Sequence, residues 1–74
     1  MPWQPVDSSA ATAVRYNAHR QWLDVEYTSG GCYRYLSVPA EVHQELLAAT
    51  SIGTYLNQCI KPLYPCIKLS SARS

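Results

Sequence analysis

The sequence predicts a two-layer α+β domain, a three-stranded antiparallel meander followed by two helices packed on one of its faces (β-β-β-α-α). Three observations predict it. The first half of the chain alternates polar and apolar residues with a period of two, in runs separated by turn-forming residues. Beyond Pro39 the apolar residues recur every three to four positions instead. A chain of 74 residues, 47% hydrophobic and 15% charged, has enough apolar content for one core and too little length for two.

Residues 1–9 contain Pro2 and Pro5 and no periodicity, so they read as an extended arm pinned by Trp3. The domain proper spans 10–69, and residues 70–74 (SSARS) form a polar tail. The first strand covers 11–16, with Val14 and Tyr16 on one side, and Asn17 to Arg20 make a four-residue turn. In the second run, 21–28, Leu23, Val25 and Tyr27 face one way, and Trp22, Asp24, Glu26 and Thr28 face the other. The third strand is 32–36. A three-residue loop, Ser29 to Gly31, pairs Tyr27 with Tyr33, Glu26 with Arg34 and Val25 with Tyr35. This register makes an opposite-charge pair, keeps arginine out of the core and turns both tyrosines inward. The same logic sets Val14 opposite Leu23 and Arg15 beside Trp22, within cation–π range.

Pro39 suits the first position of a helix, whose apolar stripe is Val42, Leu46 and Ala49. Ser51 caps a second helix carrying Ile52, Leu56, Cys59 and Ile60, with Tyr55 at the margin. Gly53 in its first turn is a poor helix former and points to a close backbone approach. Pro62 ends that helix, and CIKL at 66–69 is a candidate for a short final strand.

Composition excludes several functions. No apolar run approaches the ~20 residues of a membrane span, and MPWQPVDSS lacks the basic-then-apolar layout of a signal peptide. Three cysteines, Cys32, Cys59 and Cys66, cannot pair off within one chain and contain no C-x-x-C, which suits a reducing cytoplasm and no metal site. A net charge of +1 removes the broad electrostatic footprint of a strong nucleic-acid binder.

Several short stretches are familiar in combination. Val6-Asp7-Ser8-Ser9 precedes the first strand, followed by Leu23-Asp24-Val25-Glu26-Tyr27, Ser29-Gly30-Gly31, Tyr33-Arg34-Tyr35, Val38-Pro39-Ala40-Glu41-Val42 and Ser51-Ile52-Gly53-Thr54-Tyr55-Leu56-Asn57. In this order they resemble the KTSC domain, named for lysyl-tRNA synthetase C-termini and also found as a stand-alone bacterial protein. The resemblance covers residues 6–68. It implies a domain whose molecular function is not established, with RNA binding suggested by its attachment to a synthetase. The chain departs from the family pattern where phosphate contacts need support, with Ile52, Gln58-Cys59 and Cys66 at positions where many members are basic.

Two binding surfaces and one enzyme reading follow. Residues 46–74 carry +3 and no acid, whereas 1–45 carry −2. Lys61, Tyr64, Lys68 and Arg73 therefore form the best electrostatic candidate for weak RNA or tRNA contact, with Tyr33 and Tyr35 as further stacking candidates. The alternative is a protein partner or a second copy on the open face of the sheet, through Trp22, Arg15, Arg34 and Leu36. Catalysis is not expected: His43 falls on a helix beside Val42, His19 in a turn, and Arg34 compensates the acids of the second strand. No cofactor, small-molecule substrate or membrane partner is expected.

Overall fold

A computed structural model of the chain describes residues 3–69. Five antiparallel strands form one sheet in the order β1-β2-β3-β4-β5: Gln4–Pro5, Ala11–Asn17, Trp22–Tyr27, Cys32–Tyr35 and Cys66–Leu69. Helices α1 (Ala40–Ala48) and α2 (Ile52–Tyr55) lie between β4 and β5, and α2 continues as a π-helical turn over Leu56–Ile60. The α+β class and the order of strands and helices match the sequence pattern. The meander is extended at both edges. Part of the expected N-terminal arm is strand β1, with Gln4 opposite Val14, and CIKL is β5, with Tyr35 opposite Cys66.

The hairpin registers differ from the expected ones by two residues. Val25 pairs with Tyr33, Asp24 with Arg34 and Leu23 with Tyr35, so Arg34 answers Asp24 rather than Glu26. The loop is responsible. Tyr27 donates its N–H to Gly31 and accepts from Gly30, both at 2.9 Å, which closes the turn over Thr28, Ser29 and Gly30. Gly30 takes φ +107°, a left-handed conformation that glycine adopts without a Cβ clash. In the first hairpin Val14 pairs with Val25 and Arg15 with Asp24, not with Trp22. A two-residue slip preserves the side-chain alternation, so every residue keeps its face.

That inner face and the helices enclose the core. Val14, Tyr16, Leu23, Val25 and Tyr35 of the sheet meet Val38, Leu46, Leu56 and Ile60, all buried. Pro39 is the cap of α1 rather than its first residue, with extended ψ of 155°, and its carbonyl accepts from Val42 at 3.0 Å. Ser51 caps α2 as expected, its Oγ accepting from the Thr54 N–H at 3.2 Å. Gly53 explains itself by proximity: a Cβ there would lie 3.0 Å from the Ala10 Cβ, so α2 rests directly on the segment entering β2. At the end of α2 the Lys61 N–H donates to Leu56 at 2.8 Å, five residues back. That wider turn keeps both Leu56 and Ile60 fully buried.

Candidate functional site

The outer face of the sheet is a layered charge cluster rather than an open apolar surface. Asp24 and Glu26, both on β3, are 3% and 6% exposed. Asp24 accepts from Arg15 Nε at 2.8 Å, from Arg34 Nε at 2.9 Å and from an Arg34 terminal nitrogen at 3.1 Å. The three residues stand side by side on β2, β3 and β4 in consecutive registered pairs. The hydrogen bonds to Asp24 raise the pKa of the Arg34 guanidinium further and keep it charged. Glu26 is held by Thr12, whose hydroxyl donates to its carboxylate at 2.9 Å.

Aromatic rings cover the cations. The Arg34 guanidinium carbon lies 4.0 Å from the centre of the Trp22 ring, and that of Arg20 lies 5.1 Å from the same ring. Arg15 is taken by Trp3, at 4.4 Å, instead of by Trp22. The arm residue folds onto the sheet because β1 extends β2 outward. Over this cluster lies a cleft of about 270 Å³, lined by Arg15, Tyr16, Asn17, Trp22, Asp24 and Arg34. Leu36, the remaining outer-face candidate, is half-buried and donates its N–H to the Pro65 carbonyl at 2.9 Å.

Four of the candidate RNA residues, Tyr33, Tyr35, Lys61 and Lys68, lie on the opposite side. Tyr33 packs edge-on against Tyr27, with ring centres 5.8 Å apart, and stands in register with Lys68 on β5. Lys61, delivered by the π-helical turn, places its ammonium 5.0 Å from the centre of the Tyr27 ring. Tyr35 is 3% exposed, and its hydroxyl pairs with that of Tyr27 at 2.7 Å. Burial first, and then that hydrogen bond, raise the pKa of the Tyr27 phenol well above its usual value, so it stays neutral. Tyr35 is therefore a core residue whose ring is closed to a stacking base, whereas Tyr33 and Tyr64 are half-buried. Lys61 and Lys68 are exposed, and Arg73 lies outside the described residues.

The remaining polar cluster belongs to the core. Tyr16 donates its hydroxyl to the Val38 carbonyl and stacks on His43, with ring centres 4.7 Å apart and planes 14° from parallel. His43 Nε2 is buried without a hydrogen-bond partner. Burial lowers the pKa of this imidazole from its ordinary 6.5, so the folded state holds it neutral. The unfolded chain takes up the proton first as pH falls, so this part of the stability is present above about pH 6.5 and lost on acidification below it. We expect His43→Phe, which keeps a ring against Tyr16, to flatten the acid limb of stability between about pH 6.5 and 5. Urea unfolding at a series of pH values measures it, with exposed His19→Asn as the control. An acid limb in His43→Phe as steep as in the parent protein would assign the proton uptake elsewhere.

The sequence places Asp24 on the outer face and pins the arm by Trp3, but it singles out neither Asn17 nor Tyr27 and does not show that Asp24 takes both arginines. For Asp24 a signal existed, an acid on a strand flanked in both hairpins by strands bearing arginine; for Trp3 and Tyr27 only the assembled sheet supplies the partner. Among the described residues no three His, Cys, Asp or Glu side chains gather as a metal site, and no helix is long and apolar enough to cross a membrane.

Residues 7–64 match the family model of the KTSC domain. A protein of Tsukamurella paurometabola is 42% identical over 66 residues, covering 89% of this chain and 98% of that protein. A lysine–tRNA ligase of a Nostoc species is 38% identical over 64 residues, covering 86% of this chain and 11% of the ligase. The crystal structure of a KTSC domain protein from Yersinia pestis superposes with a TM-score of 0.89 at 32% identity, covering 92% of this chain and 96% of that one.

Proposed function

The chain belongs to the KTSC domain family, and from that membership we propose that it is a small non-catalytic module that contacts single-stranded RNA weakly, through the tyrosine–lysine surface beside β5. One observation carries the reading. Lys61 and Lys68 bracket the Tyr27–Tyr33 pair, so two exposed ammonium groups flank a partly exposed ring, the combination that tracks a phosphate backbone while a base stacks. A relative that is a lysine–tRNA ligase, an enzyme named for a tRNA, carries a similar domain as about a tenth of its length.

The surface is small, and so is the expected affinity. With two phosphate contacts on a single strand, raising salt from 50 to 200 mM should weaken binding about sevenfold. Fluorescence anisotropy with a labelled single-stranded RNA and a tRNA measures this. Lys61→Ala/Lys68→Ala should abolish the salt dependence together with the binding. Absence of binding at about 50 mM salt, or binding indifferent to both lysines, would sink the reading.

A second reading is favoured by a different observation. Ile67 is 49% exposed, and its registered partner is Arg34, next to Trp22, so the outer face offers an aromatic, an arginine and an aliphatic side chain together. A protein partner or a second copy on that face would bind with little dependence on salt, which separates it from RNA contact.

A further inference from the structure

We propose that the cleft on the outer face of the sheet binds a carboxylate monoanion, gripped by Arg15, Arg34 and Asn17 against the Trp22 indole. The proposal concerns the side of the sheet away from the tyrosine–lysine surface and does not depend on RNA contact.

Charge comes first. Arg15 and Arg34 share one buried carboxylate, Asp24; with Arg20 on the Trp22 ring and Glu26 on the same strand face, three cations meet two carboxylates on this side of the sheet, a surplus of one positive charge. A single negative charge neutralises it. A phosphate dianion would overshoot and place its second charge beside the Asp24 carboxylate.

The donors agree with that arithmetic. Among the described residues, the hydrogen bonds to Asp24 run from Nε of Arg15 and from Nε and one terminal nitrogen of Arg34. A guanidinium has five N–H groups, so terminal donors of both arginines remain for a planar, two-oxygen acceptor. Asn17 accepts the Arg20 N–H on its side-chain oxygen at 3.1 Å, which leaves its amide nitrogen as the end that can donate to a ligand. The unused N–H groups of Arg15 and Arg34 and the Asn17 amide nitrogen are all donors.

Size and shape narrow the ligand. At about 270 Å³ the cleft is at the lower edge of the range of small-molecule sites. That volume suits a carboxylate with one ring or a short side chain. Trp22 supplies an aromatic wall, already polarised by Arg34 and Arg20. Such a group comes from a free small acid or from the C-terminal carboxylate of a peptide, and the chemistry of capture is the same.

The test is a nitrogen-15 NMR titration at constant ionic strength, read at the Trp22 indole and Asn17 amide resonances. The probes are sodium benzoate, sodium phosphate, and an acetylated Gly-Gly-Ala peptide with its C-terminus free or amidated. We expect benzoate to shift both resonances saturably with a Kd on the order of millimolar, and phosphate to bind more weakly. A response to the free-acid peptide and none to its amide would place the biological source on a peptide; a response to benzoate alone would place it on a free acid. Arg15→Gln should weaken benzoate at least about tenfold, the loss of one charge-assisted hydrogen bond. Asn17→Ala, which leaves the ion triad intact, gives the same test should Arg15→Gln disturb the fold. Lys61→Ala/Lys68→Ala should leave benzoate binding unchanged, so failure of the RNA reading and failure of this one are distinguishable. No saturable shift by about 50 mM benzoate, tighter binding of phosphate, or an equal response to the amidated peptide would overturn the proposal.

Discussion

Asp24→Ala is expected to cost about 3 kcal/mol of stability and to lower the Tm by at least about 12 °C in a domain of this size. Asp24 is 3% exposed, and it is the shared acceptor of two guanidiniums whose side chains are 31% and 21% exposed. Removing one partner of a buried ion pair leaves an uncompensated charge, which costs about 3–5 kcal/mol when both partners are fully buried. Here the arginines retain some water, which places the cost near the lower bound. An exposed pair would cost only about 0–1 kcal/mol, so the measurement discriminates between two descriptions of the outer face. Asp24→Asn, which keeps the shape and one acceptor oxygen, should fall between the two values. The triple variant Asp24→Leu/Arg15→Met/Arg34→Met should regain part of the loss, because replacing a whole buried ionic cluster with apolar groups removes the desolvation cost along with the attraction. If Asp24→Ala costs under about 1 kcal/mol by thermal and urea unfolding, the cluster is solvated and does not hold the three strands together.

This cluster also marks the limit of what the sequence discloses. Alternation in three runs located β2, β3 and β4 to within a residue, and it assigned the faces correctly, because side-chain direction in a strand has a period of two. Register was not recoverable in the same way. Arg34 has two acids on the facing strand, Glu26 and Asp24, and cross-strand charge pairing favours either; the turn over Thr28 to Gly30 decides for Asp24. Only then do Arg15 and Arg34 converge on one carboxylate, and only then is an acid at an outward position buried. Strand β1 was illegible for a different reason. Two residues, one of them proline, carry no period, and Gln4–Pro5 is a strand solely because the edge of β2 pairs with it.

The helical half was legible in its composition and hidden in its pitch. The cap at Ser51 and the apolar set Ile52, Leu56 and Ile60 follow from spacing, and all three face the core. The π-helical turn does not. It inserts one residue into the last turn of the helix, and the residue that follows it, Lys61, thereby lands over Tyr27. The surface proposed to contact RNA thus depends on a backbone feature that no periodicity argument supplies.

Leu56→Ala tests that dependence and has the second large effect. Leu56 is fully buried at the junction of α2 and the π-helical turn, and its carbonyl accepts the Lys61 N–H. Truncating a fully buried leucine costs about 2–5 kcal/mol, from lost transfer energy and the cavity left behind. A chain of this length has roughly 4–11 kcal/mol of stability in total, so a loss of about 3 kcal/mol removes a large fraction of it. Ile60→Val, one methylene smaller at the other end of the same turn, should cost about 1 kcal/mol. Lys61→Ala, at an exposed position, should cost no more than about 0.5 kcal/mol. Urea unfolding with an unchanged m-value ranks the three, and RNA binding should rank the folded proteins differently: Lys61→Ala should weaken contact and lower its salt dependence at nearly full stability, while Ile60→Val should retain it at reduced stability. A Leu56→Ala protein within about 1 kcal/mol of the parent would mean that the turn is not anchored by the core, and with it the placement of Lys61 over the tyrosines would lose its physical basis.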